Sequence, residues 1–361
     1  MQNMNPFSAI YFVRNNKIRC ILLIFMMVLG YAAYLGGLYV TNIRDGWELP
    51  FDYMKKMVLV SHCGSEEMEG FEKFCQKAAR DSRIKMLPVS RQNSLNWKTI
   101  MGFEIGQFAY TFASVEDFRI YCEYVGVECS FEDLKDGSMI MSRKMSRNHN
   151  MEVGDKIGKS DADTIFGEYT LDALTQENGY TIYFIDKKRS KDCSVLLLSE
   201  ELGGSGLQNY ARKEYKGYQE ENLEKEMDDQ FSFLYSIYAF IVMLLALILA
   251  VTICAAFVGM YQRRNFEFAV YRAIGISRRK IIGKITCELL CMDVVSLVAG
   301  GVILFLGLYL FNNIVLYPSG KYLSYYHPFA LLGMAFCNIM VIVPLVFTRC
   351  RQMLRADICE Y

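Results

Sequence analysis

Four long stretches of the chain contain no charged residue, and they are the strongest feature of its hydrophobic pattern. They cover residues 20–40, 231–262, 294–320 and 322–348. Because a helix of about 20 apolar residues crosses the hydrocarbon core of a bilayer, each stretch predicts one membrane helix. His327 and Pro328 interrupt the fourth stretch, and proline suits a first helical turn, so we expect that helix to begin at Pro328.

The first stretch has an alternative interpretation as a cleaved signal peptide. The apolar core of a signal peptide has about 7–15 residues and is followed by a cleavage site with small residues. Residues 20–40 are longer than that, and no such site follows before Asn42. The pattern therefore favours a retained first helix, spanning 20–40.

Basic residues indicate the orientation of these helices, because cytoplasmic loops are enriched in lysine and arginine. Residues 1–19 carry three basic residues and no acid, and the loop of residues 262–284 carries seven basic residues against one acid, Glu267. Arg349, Arg351 and Arg355 follow the fourth. With four spans, both termini are cytoplasmic, and residues 42–230, with 25 basic and 34 acidic side chains, lie outside the cell.

The composition agrees with a multi-pass protein of the cell membrane. Hydrophobic residues make up 53% of the chain, more than in typical soluble domains, and mean hydropathy is +0.15. The 39 basic and 39 acidic residues cancel, which argues against a nucleic-acid partner.

The outer segment, residues 42–217, has a mixed pattern that predicts a large extracytoplasmic α+β domain. Short apolar runs predict strands at 56–62, 138–142, 181–185 and 194–198, and amphipathic runs predict helices at 65–80 and from Ser114, where S-x-x-D resembles a capping box, through Val125. Residues 203–206, G-G-S-G, indicate a turn or hinge.

Residues 218–261 are predicted to form a stalk that continues into the second membrane helix. Nothing between Tyr218 and Met260 breaks a helix, and 43 helical residues measure about 65 Å, about twice the thickness of the hydrocarbon core. The alternative for the acidic residues 220–229 is a solvated linker that frays. The third span is placed at 285–317, a short outer loop at 318–327, the fourth span at 328–348 and a cytoplasmic tail at 349–361.

Catalytic motifs are missing from the sequence. Gly283-Lys284 is the nearest approach to a phosphate-binding P-loop, but it lacks the upstream glycine and is followed by Ile285. The three histidines are scattered, so we predict no metal site, no cofactor and no enzymatic activity in this chain.

Five cysteines fall in the outer segment, which is an odd number. At least one of them is expected to stay unpaired or to pair between chains. They are Cys63, Cys75, Cys122, Cys129 and Cys193.

Three charged residues, Lys284, Glu288 and Asp293, stand at the entry to the third stretch. Charged groups inside a bilayer are usually functional. Because residues 294–320 are long enough to span without them, we expect all three at the cytoplasmic interface, with Lys284 and Glu288 paired at i and i+4.

The cytoplasmic loop, residues 262–284, predicts a short amphipathic helix that ends at Gly275. Its apolar residues fall on one face at helical spacing: Phe266, Ala269, Val270, Ala273 and Ile274. Such a helix either lies on anionic lipid headgroups or docks into the groove of a partner.

This loop resembles the coupling-helix loop of FtsX/MacB-type ABC transporter permeases. The shared pattern is R-x-x-E-[FI]-A-V-x-R-A-[IL]-G-x-S-[RK]-R-x-I followed by a helix with a glutamate. The matching positions are Arg264, Glu267, Phe268, Arg272, Ala273, Gly275, Ser277, Arg279 and Glu288, with Gly300, Gly301 and Gly307 in the next helix. The basic segment 1–19 resembles the family's N-terminal cytoplasmic helix. Residues 137–142 and 153–157 look like the strand and G-D-x-I turn of the MacB periplasmic core.

The resemblance implies a permease subunit with one span, a large outer domain on a helical stalk and three further spans. It implies a partner-binding site for an ABC ATPase at Arg264, Glu267, Phe268, Tyr271, Arg272, Ala273 and Gly275. ATP and Mg²⁺ would be bound by that separate ATPase, because this sequence starts directly with the basic segment.

The permease is expected to form a homodimer or a heterodimer with a similar permease, to lie in the lipid bilayer, and to export a peptide, toxin or lipid substrate or transmit force. A peptide substrate or an extracytoplasmic partner is a further expectation, and the sequence does not choose among these. The alternative is a membrane-anchored sensor or cell-envelope regulator with no ATPase partner.

Overall fold

The computed structural model describes residues 17, 21, 24–25, 28–62, 68–162, 164–188, 194–219, 223–262 and 264–355. The chain divides into two compact units. We call Met1–Thr41, Phe231–Leu310 and Leu323–Tyr361 the helical unit, and Asn42–Gln230 with Phe311–Tyr322 the sheet unit. The sheet unit therefore includes the last part of the third apolar stretch, from Phe311 onward, although the sequence predicts that the third membrane helix continues to residue 317.

The long helices are α1 (Tyr31–Lys56), α6 (Leu223–Gln262), α8 (Arg278–Phe311) and α9 (Pro328–Arg355). Among the described residues, three helical runs are long and apolar enough to cross a membrane: Phe231–Val258, Arg278–Ser319 and Pro328–Thr348. The predicted first span, 20–40, lies partly outside the described residues, so a fourth span stays a prediction.

The ends of these helices follow from local chemistry. Helix α9 begins at Pro328, as predicted, and the His327 ring nitrogen Nδ1 accepts a hydrogen bond from the amide of Phe329 at 3.2 Å. Helix α6 has 40 residues, about 60 Å, and begins at Leu223 rather than Tyr218. After Phe311, the run continues as a π-helical turn, Asn312–Leu316, and a 3₁₀ turn, Tyr317–Ser319.

An eight-stranded mixed sheet forms the sheet unit. Its strands are β1 (Val58–Ser61), β2 (Lys85–Ser90), β5 (Tyr110–Phe112), β6 (Ser138–Ser142), β7 (Lys156–Ile157), β8 (Tyr169–Thr175), β9 (Ile182–Ile185) and β10 (Ser194–Leu198). The order is β1-β10-β2-β5-β9-β6-β8-β7, and among the described residues the parallel pairs are β5–β9 and β6–β8. A separate hairpin is made of β3 (Ser94–Lys98) and β4 (Glu104–Phe108).

In the described part of the chain the sheet unit also contains α2 (Met68–Arg80), α3 (Val115–Val125), α4 (Arg143–His149) and α5 (Gly203–Glu214). The capping box predicted at Ser114 is present, because the Ser114 hydroxyl accepts a hydrogen bond from the Asp117 amide at 3.1 Å. Helix α3 buries Phe118 and Tyr121 against Phe112 and Tyr183, with ring centroids 5.1–5.5 Å apart. Burial of such aromatic surface stabilises the sheet unit through the hydrophobic effect.

The turn or hinge predicted at residues 203–206 was wrong, because these residues form the first turn of α5. Their glycines have a packing role. Gly204 lies against the carbonyl group of Lys55, so closely that a Cβ atom there would overlap its oxygen.

The structure describes three of the five cysteines in residues 42–230. Cys75, Cys122 and Cys129 carry free thiols, while Cys63 and Cys193 lie outside the described residues. Burial raises the pKa of Cys129 to about 11, so its thiol stays protonated and unreactive at neutral pH.

We predict that Gly204→Ala destabilises the sheet unit by about 1–3 kcal/mol, because a backbone carbonyl cannot move away as a side chain can. Thermal unfolding of the purified full chain, followed by tyrosine and tryptophan fluorescence, measures the effect. Gly70→Ala in α2 is the control, because its new methyl group would make only an ordinary 3.8 Å contact with Tyr215. An equal effect of both substitutions would contradict the packing argument.

Candidate functional site

A short helix, α7 (Asn265–Ala273), connects α6 to α8. Gly275, with φ of 90°, ends it in a left-handed conformation that suits glycine. The Gly275 amide donates to the Arg272 carbonyl at 2.9 Å, and the Ile276 amide donates to the Tyr271 carbonyl at 3.0 Å. These two bonds are the Schellman motif, so the helix end predicted at Gly275 is confirmed.

Arg264 organises the charges around this helix. Its Nε donates to Glu267 Oε2 at 2.9 Å, and its Nη1 donates to Glu288 Oε2 on α8 at 2.8 Å. The Arg264 side chain is 12% exposed and that of Glu288 is fully buried. Because a buried charge is stable only when it is paired, this ion pair fixes the start of α7 to α8.

Lys284 and Tyr271 complete the cluster around Glu267. The ammonium group of Lys284 lies 3.4 Å from Glu267 Oε1, and the Tyr271 hydroxyl donates to the same oxygen at 3.0 Å. The Lys284 nitrogen also lies 4.7 Å from the centroid of the Tyr271 ring, a cation–π distance. We call Arg264, Glu267, Tyr271, Lys284 and Glu288 the charge cluster.

The sequence predicted that Lys284 pairs with Glu288 within one helix. In the structure the main ion pairs of both residues are with other partners. Lys284 forms an ion pair with Glu267, and Glu288 forms one with Arg264, so each residue joins α8 to the preceding loop and helix. The physical reason is burial: an i,i+4 pair on a surface contributes little, whereas these buried groups need partners from another element.

The charge cluster shifts the pKa values of its members in opposite directions. Burial favours the neutral form of Glu267, but the charge and hydrogen bonds of Arg264, with Tyr271 and Lys284, outweigh it and lower the Glu267 pKa. Burial likewise disfavours the charged form of Arg264, but Glu267 and Glu288 outweigh it and raise the Arg264 pKa. Both groups are therefore charged at neutral pH.

Apolar packing attaches the same side of α7. The Phe268 ring is 2% exposed and packs in a cluster that includes Phe257 of α6 and Ile281, Ile285 and Leu289 of α8. The Arg264 guanidinium lies 5.0 Å from the centroid of the Phe268 ring. Helix α7 is thus held by a buried aromatic residue and by ion pairs.

The opposite side of α7 is exposed and apolar. Phe266 is 71% exposed and Ile274 is 72% exposed, with Val270 between them at 40%. Ala273 is exposed as well, and the basic residues Arg278, Arg279 and Lys280 are exposed just beyond. We call Phe266, Val270, Ala273 and Ile274 the α7 face.

A comparison with known protein families identifies part of this chain. Residues 236–349 match the FtsX-like permease C-terminal family, and this segment contains most of the second apolar stretch, the third and fourth stretches, α7 and the charge cluster. This part of the chain is an FtsX-like permease domain. The match supports an ABC transporter permease located in a membrane, and such permeases are generally paired with an ABC ATPase. No match was found among curated proteins.

The residues that the resemblance assigned to partner binding fall on two sides of α7 in the permease domain. Arg264, Glu267, Phe268 and Tyr271 make the internal contacts described above. Arg272 is half-buried, whereas Ala273 and Gly275 are exposed. The spacing predicted an apolar face of the four residues of the α7 face together with Ala269, which is half-buried. Spacing does not reveal which side of a helix faces solvent.

A polar contact between α8 and α9 lies inside the permease domain. The Asn338 amide donates to the Asp293 carboxylate at 3.0 Å, beside a cavity of about 20 Å³ that Tyr31, Ser296 and Ile253 also line. Asp293 thus has a partner on a neighbouring helix, which the sequence did not indicate.

We predict that Arg264→Met destabilises the permease domain by about 3–5 kcal/mol, because it removes the ion pair from the buried Glu288 carboxylate. The double variant Arg264→Met with Glu288→Leu should recover much of this loss, because no charge is then left in the apolar site. Thermal unfolding of the full chain in lipid nanodiscs measures both. A double variant as unstable as the single one would contradict the ion-pair account.

We also predict that acid weakens the attachment of α7. The folded-state pKa of Glu267 is below its unfolded value, so its stabilising contribution is present at neutral pH and is lost as pH falls through the folded pKa. The measurement is the unfolding temperature of the full chain between neutral and acidic pH. Glu267→Gln should be less stable at neutral pH and show a smaller loss in acid; an unchanged pH profile would refute the assignment.

Proposed function

We propose that the chain is the permease subunit of an FtsX/MacB-type ABC transporter and couples ATP hydrolysis by a separate ATPase to movement of its extracytoplasmic domain. The observation that carries this proposal is the two-sided construction of α7. One side is fixed to α6 and α8, and the other offers exposed apolar side chains.

Docking of the ATPase is assigned to the α7 face. An amphipathic helix commonly binds by placing apolar residues at i, i+4 and i+8 into a groove, and Phe266, Val270 and Ile274 have this spacing. The exposed basic residues 278–280 at the start of α8 would contribute electrostatic selection at the rim of the contact. Arg264, Glu267, Phe268 and Tyr271 support docking indirectly, because they fix the orientation of the face.

Transmission of force is assigned to the charge cluster and α8. A displacement of α7 would reach Glu288 through Arg264, and α8 extends for 34 residues, about 50 Å. Contiguous packed side chains and rigid elements with buried contacts carry such coupling better than a mobile loop.

The same proposal includes the orientation of the permease in the membrane, its oligomeric state and the class of its substrate. Both termini and α7 are cytoplasmic, and residues 42–230 are extracytoplasmic. The permease works as a homodimer or a heterodimer with a similar chain, and ATP and Mg²⁺ are bound by the ATPase. The net charge of −9 over residues 42–230 favours a cationic peptide among the peptide, toxin and lipid substrates, by electrostatic steering.

A second candidate function is a membrane-anchored sensor or envelope regulator without an ATPase. The same α7 face, followed by basic residues, is also typical of a helix that lies on anionic lipid headgroups. The two functions differ in what covers the α7 face, which a binding experiment separates.

We predict that the double variant Phe266→Asp and Ile274→Asp loses the ATPase from the complex purified in mild detergent from the native membrane. A carboxylate in an apolar groove is desolvated without a partner, so the loss should be at least about tenfold for the two changes together. Mass spectrometry of the tagged full chain quantifies the bound ATPase. The matched control, Phe266→Leu with Ile274→Val, keeps the face apolar and should retain it.

Absence of any ABC-type ATPase from the unaltered, folded chain would reject the transporter and favour the sensor. Retention of the ATPase by the aspartate variant would place the docking surface elsewhere. The unfolding temperature of each variant shows whether the charge cluster is still intact, because both substitutions lie on the exposed side of α7.

A further inference from the structure

The hairpin β3–β4 presents two large apolar side chains to solvent at its tip. Met101 is 68% exposed and Phe103 is 66% exposed. The loop that carries them is closed by two backbone hydrogen bonds, from the Thr99 amide to the Phe103 carbonyl at 2.8 Å and from the Gly102 amide to the Thr99 carbonyl at 3.0 Å. The tip is therefore a defined apolar projection from the surface of the sheet unit.

The tip end of this hairpin is connected through Asn148 to Gly320, the last residue of the third apolar stretch. The Asn148 side chain accepts a hydrogen bond from the Lys98 amide at 2.7 Å and donates one to the Lys98 carbonyl at 2.9 Å. Asn148 itself packs against Gly320, so closely that a Cβ atom on Gly320 would collide with its backbone nitrogen.

A second connection joins the same two parts. Trp97 stacks on Tyr180 with ring centroids 4.2 Å apart and planes 4° from parallel. The Tyr180 hydroxyl donates to the Gly320 carbonyl at 3.0 Å. Residues 97–98 of the hairpin are thus connected to Gly320 through two residues, Asn148 and Tyr180. All these groups belong to the sheet unit.

The position of Gly320 along the chain indicates the level of the hairpin relative to the lipid bilayer. The helical run from Val294 to Tyr317 has exposed apolar side chains along its length. At 1.5 Å per residue, it covers about 35 Å. This length matches the hydrocarbon core, about 30 Å, with a short margin. Tyr317 and Tyr322 stack at the end of the run, and tyrosines are enriched at membrane–water interfaces. Gly320 therefore marks the headgroup level.

Basic side chains collect at the same level. Lys98 is hydrogen-bonded to Asn148, which packs against Gly320, so Lys98 lies near Lys321, the residue after Gly320. Burial and the charge of Lys98 both lower the pKa of Lys321. Helix α4, which carries Asn148, contains Arg143, Lys144 and Arg147 and no acid. Two acids lie near these five basic residues, because Glu104 is opposite Lys98 across the hairpin and Asp45 interacts with Lys144. The local charge is still positive, in contrast to the net −9 of residues 42–230, and a bound anion would relieve the repulsion between Lys98 and Lys321.

We propose that the hairpin tip and its neighbouring lysines form a lipid-binding surface on the outer leaflet. Met101 and Phe103 enter the apolar part of the leaflet, and Lys98 and Lys321 bind the phosphate of an anionic phospholipid. An apolar projection beside basic residues matches the two layers of a leaflet. The surface holds the sheet unit at the bilayer and does not depend on an ATPase partner.

Photocrosslinking in nanodiscs of phosphatidylcholine and phosphatidylglycerol tests the apolar contact. A benzophenone amino acid replaces Met101 in the full chain, and mass spectrometry identifies what it labels. Adducts with phospholipid are expected. Met68 on α2, another exposed methionine of the sheet unit, is the matched control and should give no lipid adduct. Adducts with a second protein chain, or none with lipid, would overturn the proposal, provided that the unfolding temperature is unchanged.

The phosphate contact is tested in the same nanodiscs by the double variant Lys98→Gln and Lys321→Gln. Each lysine near an anionic surface favours acidic lipid by about fivefold, so the enrichment of phosphatidylglycerol among the adducts should be lost. Lys85→Gln on β2 is the control, because Lys85 is exposed away from the hairpin. Enrichment that persists in the double variant would overturn the phosphate assignment, and equal loss in the control would show a general charge effect and overturn it too.

Discussion

The ion pair between Arg264 and Glu288 is the interaction on which the arrangement of the permease domain depends. Removing two charges from water costs several kcal/mol for each ion, and an apolar pair of similar volume would often be as stable. What the charged pair adds is geometry, because a guanidinium group donates in fixed directions and accepts only a few placements of its partners. Arg264 satisfies Glu267 on α7 and Glu288 on α8 together, so α7 has one orientation relative to α8. The exposed α7 face is a consequence of that orientation.

Close packing around small residues is the second constraint on the helical unit. Gly300 lies against the ring of Tyr31, Gly333 lies against the hydroxyl of Tyr238, and Gly37 lies against Ala330. The Tyr238 hydroxyl donates to the Ala33 carbonyl at 2.9 Å, so the tyrosine fills the space left by the glycines and satisfies a backbone acceptor. In a membrane, where lipid is as apolar as leucine, such contacts and hydrogen bonds hold helices together. Gly204 against Lys55 shows the same principle in the sheet unit.

Local signals in the sequence predicted much of the fold, and long-range contacts explain where the prediction ended. The cap at Ser114, the helix end at Gly275 and the strand at 138–142 each depend on a few neighbouring residues, and all three are present. The partners of Lys284 and Glu288 come from residues about 20 positions away, which no periodicity encodes. The glycines at 203–206 were misassigned for the same reason, since a glycine required by a distant carbonyl looks like one required by a turn. The strand order is likewise set by pairing between distant segments.

Exposure alone does not give an apolar side chain a function in this protein, because many residues of the third apolar stretch are also exposed and need only lipid around them. Ile303 is 62% exposed and Ile314 is 69% exposed, both within a charge-free run. Phe266 and Met101 differ because each lies outside the long apolar runs, on a short element that hydrogen bonds and packing hold in place. Each also lies near a group of basic residues, which a purely lipid-facing helix does not require. A fixed apolar group beside positive charge is complementary either to an apolar groove with an acidic rim or to a phospholipid leaflet. The position of Phe266 and of Met101 along the chain decides which of the two each residue contacts.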